Sequence, residues 1–158
     1  MGLFFDDVRS GQVFESARHT VLRSEIVDFA KAYDPNAFHL DPDAARSVGL
    51  NDVIASGFHT LSLSFRLFFE IHLWDDAILP SPGIDEVRFL KPVYPGDSIF
   101  VRATILEIIP STSRPDRGIV RMSHETIHAT SQVTVLTAEA MHRLRRRAST
   151  RPDHSGPI

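Results

Sequence analysis

One stretch limits the fold more than any other: Ala55 to Trp74, ASGFHTLSLSFRLFFEIHLW. Read as one helix it makes about five turns. Its apolar residues (Phe58, Leu61, Leu63, Phe65, Leu67, Phe68, Phe69, Ile71) cover most of the circumference. A helix that is apolar on nearly every side has to be enclosed, so the rest of the chain must supply a wrapping layer. A bilayer is not that layer, because His59, Arg66, Glu70 and His72 interrupt the apolar run from Val53 to Trp74.

The second half supplies the wrapping. GIDEVRFLKPV leads into a Tyr94-Pro95-Gly96-Asp97 turn, and SIFVRATILEII follows. After the polar loop STSRPDRG, the segments IVRMSHETIHA and QVTVLTAEAMHRL alternate as a hairpin around Thr130-Ser131. Upstream, Gln12–Leu22 reads as a strand, and Ser24 is the expected cap of a helix carrying Ile26, Val27, Ala30 and Tyr33 on one face. Asp34-Pro35 ends that helix. Asp41-Pro42 starts another, with Gly49 as its stop. The expected fold class is α+β, with an antiparallel sheet wrapped around the long helix.

Composition narrows the function. A chain of 158 residues, 42% hydrophobic and 23% charged, fits one soluble domain. The absence of cysteine excludes a disulfide framework, thiolate metal sites and a cysteine nucleophile. A net charge of −3 gives no reason to expect a nucleic-acid partner. The N-terminus has acidic residues where an export signal needs an apolar core, and Asp6 stands where a myristoylation motif needs Ser or Thr. A cytoplasmic protein with no membrane partner is the expectation. Residues 1–145 are expected to form the domain, and 146–158 a disordered basic tail.

Eight histidines invite a metal hypothesis, which their spacing does not support. His124 and His128 fall in strand-like sequence, and His59 and His72 lie over three turns apart if both are helical. No metal or cofactor site is expected. Ser56-Gly57 opens the greasy helix, where free backbone N–H groups can hold an anion or a polarised carbonyl oxygen. Taken alone, a cap and a first residue account for the pair. Asp34 and His39 share the loop before the second helix start. Either they are a helix terminator and a packing residue, or a carboxylate and imidazole that activate water together.

These residues carry a family resemblance. DPNAFHLDPDAA resembles the Asp-x-Asn-Pro-x-His-x-Asp motif of MaoC-like dehydratases, which include the (R)-specific enoyl-CoA hydratases. IASGFHTLSLSFRL is similar to that family's entry into its central helix, and GIDEVRFLKPVYPGD to its later strand-and-turn signature. The blocks occur in family order across roughly residues 10–145. Two positions depart: Ala37 stands at the motif's Pro, and Ser56 where His usually precedes the glycine.

The resemblance implies a single hotdog domain, paired as a homodimer or larger homo-oligomer. It implies a cofactor-free hydro-lyase that adds water to a trans-2-enoyl-CoA to give an (R)-3-hydroxyacyl-CoA, or the reverse. Asp34 and His39 become the water-activating pair, and the Gly57 N–H the donor to the thioester oxygen. Asn36 orders the loop, Ser56 and Ser62 join the substrate-binding set, and Leu40–Ser56 lines the acyl pocket. Two rivals remain: a hotdog acyl-CoA thioesterase, in which a carboxylate directs water at the thioester carbonyl, and a non-catalytic acyl-CoA-binding subunit.

Overall fold

In the computed structural model, which describes residues 2–148, the enclosing layer is one antiparallel sheet. Short strands β1 (Val13–Glu15) and β2 (His19–Thr20) precede four helices: α1 (Arg23–Tyr33), α2 (Ala37–Leu40), α3 (Pro42–Ser47) and α4 (Gly57–Phe69). Four long strands follow: β3 (Ile78–Phe89), β4 (Ser98–Pro110), β5 (Arg117–His128) and β6 (Thr134–Arg145). The sheet order is β1-β4-β5-β6-β3, with β2 also paired to β4. β6 is β3's partner, and β3's other edge is open among the described residues. This is the α+β hotdog arrangement expected from the sequence.

Strand periodicity explains which face meets the helix. In β5, Val120, Met122, His124 and Thr126 are buried and alternate with half-buried Arg121, Ser123 and Glu125; β6 repeats the pattern with Ala138, Ala140, His142 and Leu144 around half-buried Glu139, Met141 and Arg143. α4 answers with Leu63, Leu67 and Phe68 in the same core, which also holds Trp74.

Three local expectations are corrected. α4 stops at Phe69 instead of running to Trp74. Its last bonds tighten, with Ile71 N–H donating to Phe68 O and His72 N–H to Phe69 O, and His72 then takes φ +60°, which no α-helix contains. His59 and His72 therefore do not share a helix. Enclosure is also one-sided: Phe58 is 60% exposed and Phe69 41%. Finally, α1 starts at Arg23, with Leu22 rather than Ser24 at the cap position. The Glu25 carboxylate accepts the Leu22 N–H at 2.8 Å and fixes the start two residues earlier.

A strap closes the sheet at its far end. Asp6 pairs with Arg146 and Asp7 with Arg147, while the two guanidiniums lie over the rings of Phe5 and Phe4. Gly118 makes room for it, since a Cβ there would sit 2.3 Å from the Phe5 ring. Arg146 and Arg147, at the start of the expected tail, thus have partners; residues 149–158 lie outside the described residues. No described helix is long and apolar enough to cross a membrane.

Behind α4, His124 and His142 meet Nε2 to Nε2 at 3.1 Å, stacked against Phe65 and Phe68. One imidazole must donate and the other accept, so they cannot both be charged, and burial disfavours a charge on either. Burial lowers His124 from 6.5 to about 3 and His142 to about 4. Between pH 6.5 and about 4 the unfolded chain binds protons that the folded chain refuses, so stability falls as pH falls through that window. We expect the urea midpoint to drop there as the pH is lowered. In a His124→Leu/His142→Leu variant the same titration should be distinctly flatter.

Candidate active site

The site forms where α1 ends and α4 begins. Pro35 and the closing turn fix Asp34 as the cap that follows α1, its N–H bonded to Ala30 O at 3.0 Å. The chain then folds back at once: Asn36 N–H donates to Asp34 O, and His39 N–H to Asn36 O. These bonds turn the single helical turn of α2 so that His39 is buried, at 4% exposure. Asp41 caps α3 by accepting the Asp43 N–H, with Pro42 in the first turn, as its sequence indicated.

The imidazole of His39 is held from both sides. Nδ1 lies 2.7 Å from Ile54 O, and a carbonyl only accepts, so Nδ1 carries the proton. In the neutral ring Nε2 is then a lone pair, 3.3 Å from Asp34 Oδ2; in the imidazolium the same nitrogen faces that carboxylate as a donor. The two acceptors converge on one spot, where a water could donate a hydrogen to each.

Asp34 is held as firmly. Asn36 Nδ2 donates to its Oδ1 at 2.6 Å and Ser56 Oγ to its Oδ2 at 2.6 Å. The Ser56 bond is the largest influence holding its carboxyl below the ordinary value of 3.8; partial burial opposes it, and Asn36 and His39 add to it. Ser56 is fully buried and caps α4, its Oγ accepting the Phe58 N–H at 3.2 Å.

These groups line a cavity of about 440 Å³, within the range of small-molecule sites. Asp34, Asn36, His39 and Gly57 all border it. The Gly57 N–H has no backbone partner among the described residues and stands at the positive end of α4. A Cβ at residue 57 would lie 2.8 Å from the Phe89 ring, so glycine lets that ring close over the helix end. Of the six residues singled out from sequence, five are brought together. Ser62 stands apart, exposed on α4 with its Oγ donating to Phe58 O of its own helix.

Leu50, Ile54 and Ala55 line the cavity, within the expected Leu40–Ser56 segment. Residue-level reasoning missed the opposite wall, Phe89–Val93 with Val135. Its signal was the FLKPV block. Leu90 and Lys91 N–H both donate to Val135 O, and Ala55 N–H donates to Val93 O, which ties that wall to the loop before α4. Among the described residues no group of three His, Asp or Glu side chains is arranged to hold a metal ion.

Residues 7–128 match the family model described as MaoC like domain. The Bacillus subtilis protein YdeM is 35% identical over 115 residues, 73% of this chain and 80% of its own length. A MaoC-like dehydratase from Rhodospirillum rubrum is 38% identical, with a TM-score of 0.85 over 93% of this chain and 99% of its own. The unliganded (R)-hydratase of Pseudomonas aeruginosa shares the fold, with a TM-score of 0.72 at 23% identity over 99% of this chain and 96% of its own.

The tautomer can be checked directly. Long-range ¹⁵N–¹H correlation should report neutral His39 with its proton on Nδ1; a proton on Nε2 would mean that the Ile54 bond is absent.

Proposed function

Because the chain belongs to the family of MaoC-like domains, in which hydratases and dehydratases share one fold, we propose that it is an acyl-CoA hydratase/dehydratase. It interconverts a trans-2-enoyl-CoA and an (R)-3-hydroxyacyl-CoA. One observation carries this reading: the Asp34 carboxylate and the His39 Nε2 lone pair, 3.3 Å apart, face a cavity that also receives the open N–H end of α4.

The chemistry needs those three parts. Water attacks the β-carbon only if a proton leaves it, and a paired imidazole and carboxylate accept one near neutral pH. As the C–O bond forms, the π electrons move toward the thioester and negative charge gathers on its oxygen. The Gly57 N–H at the positive helix end stabilises that charge. A proton then bonds to the α-carbon, the enolate collapses, and the enzyme returns to its starting state.

We also propose a homodimer, supported by the open edge of β3 and by exposed Ile84 and Phe89 on that strand. A free twelve-residue edge is a template for pairing.

Purified protein with crotonyl-CoA and a panel of longer and branched enoyl-CoAs should consume the conjugated absorbance. Asp34→Asn and His39→Ala should each lower kcat by about 10²-fold or more with the fold intact. If no enoyl thioester turns over, the hydratase reading is lost. Release of free CoA instead would identify a thioesterase, and tight acyl-CoA binding without turnover a binding subunit.

A further inference from the structure

Two side chains at the site can carry protons, and the hydrogen bonds around them divide that work unequally. Asp34 already accepts a 2.6 Å bond on each oxygen, from Asn36 and from Ser56. Bonds of this kind are made to the ionised form and oppose its protonation. His39 is the reverse case. Its Nδ1–H is committed to Ile54 O, and Nε2 has no donor pointed at it from the described residues.

Ser56 is the residue that fixes this difference. Its hydroxyl has one proton to give. The lone-pair side of Oγ is engaged by the Phe58 N–H of α4, and Asp34 Oδ2 is the acceptor on the other side. The side chain is fully buried, so water does not compete for either bond. The direction of the hydroxyl is therefore set by the helix end itself.

We propose that Ser56 is a positioning residue that holds Asp34 as a fixed anion, so that His39 Nε2 alone takes and returns the proton during hydration. The step balances with one carrier. Nε2 takes a proton from water as the water oxygen bonds to the β-carbon, and the π electrons pass to the thioester oxygen at the Gly57 N–H. The imidazolium, facing the Asp34 carboxylate, then gives that proton to the α-carbon as the enolate collapses. Hydroxyl and hydrogen both derive from one water and reach the same face of the double bond. This inference rests on the hydratase reading above.

The titratable and charged groups facing Asp34 are His39 from α2 and, across the cavity, Lys91 from the segment after β3; α4 contributes none. His39 and Asn36 act on the same carboxyl in wild type and variant alike, so the Ser56 effect is read as the difference between the two titrations. In the full chain, ¹³C NMR of the Asp34 carboxyl should show its midpoint rising by about one pH unit in Ser56→Ala and returning in Ser56→Thr. Turnover of crotonyl-CoA should follow, with kcat about tenfold lower in Ser56→Ala, KM within about twofold, and recovery in Ser56→Thr. A merely structural cap would lower thermal stability without moving the Asp34 midpoint. An unchanged midpoint therefore overturns the role of Ser56, whether or not the chain is a hydratase. Asp34→Asn should keep at least about tenfold more kcat than His39→Ala; equal loss would overturn the single carrier. If the wild-type chain hydrates no enoyl-CoA, the hydratase reading fails, and the titration alone still decides whether Ser56 holds the anion.

Discussion

The site depends on one buried hydroxyl. Ser56 Oγ accepts from the first turn of α4 and donates to the residue that ends α1, so a single side chain ties two helix ends together. Without it, the Asp34 carboxylate and the Gly57 N–H would belong to separately anchored segments. With it, a shift of α4 carries Asp34 along. Electrostatic stabilisation requires groups held before charge develops, and a shared anchor is an economical way to hold them.

The surrounding bonds extend the same logic outward. Ile54 O fixes the His39 tautomer, and the neighbouring Ala55 N–H is fixed in turn by Val93 O. Val93 follows the Lys91-Pro92 corner, which hangs on Val135 O at the start of β6. The site is thus referred step by step to the sheet, although Asp34, His39, Ser56 and Gly57 all lie at helix ends and turns and none on a strand.

Much of this was legible in the sequence, for physical reasons that differ by residue. Proline and aspartate punctuation marked the end of α1 and the start of α3, because a restricted torsion and a short acceptor act locally. Strand alternation in β5 and β6 was readable because a sheet with one covered face imposes period two. The Asp34–His39 pair was visible as an ambiguous spacing, and family motifs tipped the choice. What stayed hidden was set by individual contacts rather than by pattern. The end of α4 was masked because Ile71 and Trp74 continue the apolar pattern through a turn that also packs into the core. The Ser24 expectation failed because Glu25 reached back to Leu22. The direction of Ser62 and the second bond of Ser56 depend on which partner each hydroxyl meets, Phe58 O on its own helix for Ser62 and Asp34 across 22 residues for Ser56, and no periodicity encodes that.

The strap of Asp6 and Asp7 against Arg146 and Arg147 also says something about how this unit can be joined to others. It brings the two ends of the folded segment together at one corner. The cavity borders Val135, near the opposite end of β6, roughly 35 Å away along twelve residues of extended strand. A neighbouring domain carried at either end would leave from that corner, clear of the cavity. Two copies linked in tandem, or one copy cut elsewhere and rejoined across the strap, would keep the site intact. The ion pairs that close the sheet also make it a module.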